Sequence, residues 1–178
     1  LPLFSIIKEL MIDIKLKNNF FKEKFRRYCS FIIHFGVIIM IMGVSFSSNF
    51  EKKYDLTLNE GDEVYVDKLL LKLNYIYDKE TEAKNILGAN ISLTDQKKVF
   101  NLFPEQNLYK YEGNREINRE TEVAIRSTFI KDYYLILVDK NFEGSLNLKL
   151  YINPLVSFLW IGSLISILGG FLLLVRRN

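Results

Sequence analysis

The stretch YCSFIIHFGVIIMIMGVSF, residues 28–46, carries no charged side chain over 19 positions. A helix needs about 20 mostly apolar residues to cross the hydrocarbon of a bilayer, so this run reads as a membrane span. Inside it stands the only histidine of the chain, His34. Ionisable side chains at membrane depth are costly and tend to be functional, and imidazole is the commonest protein metal ligand, haem iron included. Six residues beyond Tyr28, His34 lies roughly 9 Å along a helix axis, inside the hydrocarbon.

Outward from this run the chain repeats the pattern. Residues 155–175 form a second run of 21 positions without a charge, again the length of a span. Between the two runs, residues 51–153 have the mixed composition of an ordinary globular domain. The chain is 49% hydrophobic and 25% charged overall, so its apolar content is concentrated at the two runs. Both are too long, and their flanks wrong, for a cleaved signal peptide.

Charge predicts the orientation. Lys15, Lys17, Lys22, Lys24, Arg26 and Arg27 precede the first span, and Arg176 and Arg177 follow the second. The positive-inside rule then places both termini in the cytoplasm. The intervening segment, with 15 Lys+Arg against 18 Asp+Glu, falls on the far side. The expected organisation is a cytoplasmic basic or interfacial segment (1–27), a transmembrane helix (28–48), an extracytoplasmic β-rich domain (49–153), a transmembrane helix (154–175) and a cytoplasmic tail (176–178). The chain begins Leu1-Pro2 without an initiator methionine, so it is expected to be a fragment or one piece of a larger protein. Residues 1–10 are apolar enough for the end of a preceding helix or for an interfacial helix.

Period-two alternation predicts an all-β domain between the spans. Leu69, Leu71, Leu73, Tyr75 and Tyr77 fall on one face, with Leu70, Lys72, Asn74, Ile76 and Asp78 on the other. Leu146, Leu148, Leu150 and Ile152 alternate with Ser145, Asn147, Lys149 and Tyr151. Further strands are expected over 90–93, 98–102, 122–130 and 133–138. Turns are expected at Asn59-Glu60-Gly61-Asp62 and Glu112-Gly113-Asn114. Short strands joined by polar turns suggest a sandwich or barrel of roughly 100 residues.

Much chemistry is excluded from that domain. It has no histidine and no cysteine, so Ser-His and Cys-His nucleophile systems cannot be assembled within it. It has no Gly-rich phosphate loop. Its basic residues are interleaved with acids, which argues against a nucleic-acid surface. The lone cysteine, Cys29, permits no disulfide within the chain and reads as a small residue at the membrane boundary. The domain reads as a binding or docking module.

Gly36 and Gly43, seven residues apart, share one face of the first span, where small residues allow close helix contact. Three readings of His34 stand open: a haem or metal ligand, a proton relay, or a hydrogen-bonding residue between helices. Met40 and Met42 are possible second ligands by type. In the second span Asn153 is expected to cap the helix, with Pro154 at its first turn. Trp160 is expected in an interfacial aromatic belt, and Gly162, Gly169 and Gly170 at helix contacts.

Taken in order, the motifs resemble those of one family. Arg26-Arg27-Tyr28, Ile33-His34-Phe35-Gly36-Val37 and Gly43-Val44-Ser45-Phe46-Ser47-Ser48 are similar to the start of the C-terminal region of the CcmF family. The likeness continues through the turn ending at Gly61, Pro104 with Tyr109, Thr121-Glu122-Val123-Ala124-Ile125 and Asp132-Tyr133-Tyr134-Leu135. It closes with Tyr151-Ile152-Asn153-Pro154-Leu155-Val156 and Trp160-Ile161-Gly162, and so covers residues 26–175. These are large membrane proteins of cytochrome c maturation, implicated as haem lyases. The resemblance implies that His34 is one of two transmembrane histidine ligands of a b-type haem. That haem is thought to keep the substrate haem reduced while its vinyl groups join the CxxCH thiols of apocytochrome c. Implied partners are the remainder of the CcmF-like protein, the haem chaperone of the pathway, apocytochrome c with its thiol-handling subunits, and membrane lipid, with no nucleic acid. The implied location is a bacterial inner membrane, or the mitochondrial inner membrane if the chain is organellar.

The departures are specific. The tryptophan-rich haem-handling motif, its flanking histidines and the second transmembrane histidine are not in this sequence. The haem's second ligand is therefore expected from outside the chain, and the chain alone is not expected to be catalytic. Between Pro104 and Tyr109 the family leads one to expect basic residues, where Gln106 and Asn107 stand. The alternative from another class is a non-catalytic two-span scaffold whose β-domain binds a partner protein.

Overall fold

A computed structural model describes residues 21–96, 98–109 and 118–175. The expectations for residues 1–10, for the turn Glu112-Gly113-Asn114 and for the basic tail lie outside the described residues. The chain divides into a helical unit and a β unit, the latter Ser47–Pro154.

The helical unit holds α1 (Phe21–Asn49) and α2 (Val156–Val175). α1 continues through Arg26 and Arg27, so the described part of the basic segment is the first turns of the same helix. Both helices are long and apolar enough to cross a membrane, and only 17% and 11% of their most apolar windows are buried. A soluble core helix would be buried on most sides. These instead present Phe35, Ile41, Leu164, Ile167 and Phe171 outward, the arrangement a lipid solvent favours.

The helices run antiparallel along a seam of small residues. Cys29 and Ile33 lie near Gly169, Gly36 near Gly162 and Ser166, and Gly43 near Leu159. Cys29, Gly36 and Gly43 recur every seven residues, as do Gly162 and Gly169, so each set stays on one face. The close approach lets the Ser166 hydroxyl donate to the Ile33 carbonyl (3.2 Å) and the Ser163 hydroxyl reach the Met40 Sδ (3.1 Å). The small-residue expectation holds for Gly36, Gly43, Gly162 and Gly169; a Cβ on Gly170 would meet nothing within 4 Å. Cys29 is buried, as a packing residue.

The start of the second helix differs from the expectation. Asn153 and Pro154 belong to a strand, paired with Asp132 and Lys131, and do not cap α2. The ladder to the neighbouring strand takes Asn153's backbone. Pro154 is tolerated because the strand on its other side, Lys52–Leu58, reaches only Ile152, so no partner needs its missing N–H. Leu155 turns the chain with φ at 57°, and its carbonyl accepts from the Phe158 N–H (3.0 Å) to open the helix.

The β unit has two antiparallel sheets. One runs β1 (Lys52–Leu58), β10 (Leu146–Pro154), β9 (Lys131–Lys140), β8 (Ala124–Ser127). The other runs β2 (Glu63–Val66), β3 (Leu69–Glu80), β4 (Lys84–Asp95), β6 (Glu105–Tyr109), β7 (Asn118–Glu122), with β5 (Lys98–Leu102) also on β4. β5 and β6 share one edge of β4 end to end and part at Phe103-Pro104. β7 and β8 are separated only by Val123, where the chain passes from one sheet to the other. The inward faces meet in a core of Leu69, Leu71 and Leu73, Ala89, Ile91 and Leu93, Tyr133, Leu135 and Leu137, and Leu146, Leu148, Leu150 and Ile152. The expected architecture, two apolar helices flanking a sandwich- or barrel-like β domain, is the observed one.

Three details depart from the sequence reading. A bulge between Leu73 and Tyr75 shifts the pairing of β3 by one residue, so Ile76 packs against the core and Tyr75 turns outward. The expected strand over 122–130 is two strand segments and a turn, broken at Val123 by the passage between sheets. β1, β6 and β7 were not anticipated.

Candidate functional site

His34 sits on the exposed side of α1, on the face opposite the Gly36 seam. Its Nδ1 lies 2.7 Å from the Ser30 carbonyl oxygen, one turn earlier. A carbonyl only accepts, so Nδ1 carries the proton and donates. With the proton on Nδ1, Nε2 is the ring nitrogen turned away from the helix backbone. Metal-bound histidines typically donate their other ring N–H to a carbonyl or carboxylate, which orients the ring and raises its basicity. The Ser30–His34 pair has that form. His34 bonds within its own helix and makes no hydrogen bond to α2.

The methionines do not complete the site. Met40 is engaged with Ser163 and packs beside Gly162. Met42, eight residues from His34, lies roughly 12 Å along the same helix. Both methionines lie on the same helix as His34. Among the described residues there is no group of three or more His, Cys, Asp or Glu able to hold a metal ion. Trp160 is exposed on α2.

The β unit carries two features that the sequence reading did not single out. The outer face of the four-stranded sheet forms an open groove of about 370 Å³ lined by Val123, Ile125, Tyr134, Ile136, Tyr151 and Asn153. Asn153 Oδ1 is buried there without a partner among the described residues. The outward alternation of Tyr134, Ile136 and Tyr151 was the available signal. Apolar residues on both faces of one strand pair mark a second contact surface.

The second feature is a set of polar pairs, two across the sheets and two within the six-stranded sheet. Gln106 Nε2 donates to the Val138 carbonyl (2.6 Å) across the sheets, where β9 bulges against β10. Asn107 Nδ2 donates to Glu122 (2.7 Å). The neutral residues at 106 and 107, where basic ones were expected, thus have structural partners. The Tyr77 hydroxyl donates to Glu105 (2.6 Å) and that of Tyr133 to Asp95 (2.7 Å). Burial, then these carboxylate acceptors, push both phenols well above the usual tyrosine range.

No protein-family model matches the chain. It is 31% identical over 144 residues to the cytochrome c-type biogenesis protein CcmF of Escherichia coli K12, covering 79% of this chain and 21% of that protein. It is 29% identical over 150 residues to the protein of the same description from Haemophilus influenzae, covering 83% and 22%. To the probable cytochrome c-type biogenesis protein NrfE of E. coli K12 it is 27% identical over 173 residues, covering 92% and 29%. Among solved structures, one described as cytochrome c heme lyase CcmF superposes with a TM-score of 0.63 at 19% identity, covering 88% of this chain and 26% of that one. The chain thus spans about a fifth of the length of the CcmF relatives it matches.

Proposed function

The chain corresponds to the C-terminal region of the CcmF family, and from that premise we propose that it acts as the C-terminal part of a cytochrome c-type biogenesis haem lyase. In this reading both helices cross a bacterial inner membrane with the termini in the cytoplasm, and the β unit faces the periplasm. His34 would hold a b-type haem through its imidazole, and a second ligand would come from the remainder of the protein. A haem bound there would supply one-electron chemistry. The work of this chain's own residues is to present Nε2 at membrane depth and to hold the ring against rotation through the Ser30 carbonyl.

The observation that carries the reading is the 2.7 Å Ser30–His34 bond on an exposed helix face. An imidazole oriented by its own backbone and facing away from α2 fits an iron ligand better than a packing residue. The groove ending at Asn153 supports a docking role for the β unit, toward the haem chaperone or the apocytochrome-handling subunits.

Co-expression of the chain with the part of a CcmF relative that it does not cover, followed by reduced-minus-oxidised spectra of the purified membrane complex, tests the proposal. The expected result is a b-type signal that His34→Ala abolishes together with cytochrome c maturation, while assembly of the two parts persists. An unchanged signal and unchanged maturation in His34→Ala would overturn the ligand assignment. Retained maturation without any b-type haem would favour the scaffold reading.

A further inference from the structure

We propose that the β8–β9 hairpin is a wedge for the lipid interface, with Phe129 and Ile130 at its tip seated among the headgroups of the bilayer. This goes beyond haem ligation and rests only on the reading of α1 and α2 as spans.

The tip is built rigidly. Thr128 N–H donates to the Lys131 carbonyl (2.9 Å), the Thr128 hydroxyl donates to the same oxygen (2.7 Å), and the Lys131 N–H donates back to that hydroxyl (3.1 Å). The β3–β4 hairpin is closed by the same device, Thr81 with Lys84, at 2.9, 2.7 and 3.0 Å. Between those clamps stand Glu82-Ala83 in one hairpin and Phe129-Ile130 in the other. The clamp thus does not require apolar tip residues, and turn chemistry ordinarily favours Gly, Asn, Asp or Ser there. Phe129 is nonetheless 67% and Ile130 60% exposed.

The hairpin's place in the sheet says what meets this tip. The ladder pairs Asp132 with Asn153 and Lys131 with Pro154, so the tip lies level with the point where the chain leaves the sheet. α2 begins two residues after Pro154, a reach of at most about 7 Å. At the same end β1 starts at Lys52, paired with Ile152 and three residues after Asn49, the last of α1. Both chain connections to the apolar helices therefore leave from the end of the β unit that presents Phe129 and Ile130. The Glu82-Ala83 tip belongs to the opposite end, where Lys140 meets Asp78.

The charges at the near end suit a headgroup zone. Lys52, Lys68 and Lys98 are exposed and Lys131 partly so, beside Glu51, Asp67, Asp95 and Asp132. Lys52 is held by Asp67 (2.9 Å), and Asp95 accepts from Tyr133. Lys131, next to the tip, can keep its ammonium among phosphates while the apolar pair sits deeper.

Phe142, at the β9–β10 tip of the far end and fully exposed, is the internal control. In a Cys29→Ala background, Ile130→Cys, Phe142→Cys and Leu168→Cys would each be labelled with an environment-sensitive fluorophore. The full chain would be reconstituted in phosphatidylcholine–phosphatidylglycerol vesicles with lipids spin-labelled near the headgroup or near the bilayer centre. The proposal expects the label at 130 to lose emission to the shallow quencher, the label at 142 to lose it only to aqueous iodide, and the label at 168 to lose it to the deep quencher. If 168 is quenched deeply but 130 behaves like 142, the wedge is wrong and the span reading stands. Shielding at 130 without lipid quenching would mean protein covers the tip, which also overturns the proposal. If 168 escapes the deep quencher, the span reading fails and takes the wedge with it.

Discussion

Gly36 and Gly162 meet backbone to backbone across the α1–α2 seam. A Cβ on Gly36 would collide with the Gly162 carbonyl oxygen, and one on Gly162 with that of Gly36 and with Met40. In lipid there is no hydrophobic drive between helices, so the pairing depends on this close approach.

Gly162→Val is expected to destabilise the helix pair by about 1–3 kcal/mol, the usual cost of forcing volume into a packed contact. Gly170→Val, where a Cβ meets nothing within 4 Å, should leave the pair unchanged. Energy transfer between probes on α1 and α2 during denaturation in micelles reads both. Equal effects would show that the seam is not where the helices hold together.

The Tyr133–Asp95 bond sets a pH dependence. The folded state raises the Tyr133 phenol above its usual value, first by burial and then by the Asp95 carboxylate. A raised tyrosine pKa means folding favours the protonated form. This contribution is complete below about pH 10, the unfolded phenol value, and declines as pH rises beyond it. Stability of the β unit, followed by urea unfolding, should be flat near neutrality and fall above pH 10. Tyr133→Phe should lower the neutral plateau by about 1–3 kcal/mol, for the bond to a charged acceptor, and make the alkaline fall shallower. Tyr77, bonded to Glu105, leaves part of the fall in place.

The Gln106 side chain offers a cleaner test of how the two sheets are joined. Its amide donates to the carbonyl of Val138, the residue that breaks the β9–β10 register. Gln106→Leu keeps the volume and strips the donor, leaving that carbonyl short of a partner, at an expected cost of about 1–3 kcal/mol. Gln106→Glu should cost more, because a buried carboxylate faces a carbonyl. A denaturation midpoint unchanged in both variants would rule out the brace.

These braces mark where the sequence could be read and where it could not. The spans and the strands around Leu69–Leu71–Leu73 and Leu146–Leu148–Leu150 were legible, because burial of one face imposes a period on the side chains. The alternation of Tyr54, Leu56 and Leu58 in β1 was equally present but masked by Lys53 and Asp55 on its outer face and by Lys52 at its start. The bulge at Asn74 was not legible. It depends on which residue of β4 lies opposite, and it reverses the assignments of Tyr75 and Ile76. Asn153-Pro154 looked like a helix start because the local chemistry suits one, and pairing with β9 overrode it. His34 was conspicuous in the sequence; its fixed tautomer was not, because that follows from the rotamer that reaches the Ser30 carbonyl.

Asn153 tests whether the groove on the four-stranded sheet is used. Its backbone is held in the ladder opposite Asp132, while its Oδ1 is buried without a partner among the described residues, beside Ile125, Tyr134, Ile136 and Tyr151. An unmet buried acceptor costs about 1–3 kcal/mol, so Asn153→Leu should raise the stability of the β unit by about 1 kcal/mol. A docking partner that supplies a donor to that oxygen would be lost in the same variant. Gained stability with reduced cytochrome c maturation in the co-expressed complex is thus the expected pair of results, the trade that functional sites often show. Gained stability with full maturation would remove the groove from the docking surface. Lost stability would mean that Asn153 braces the fold.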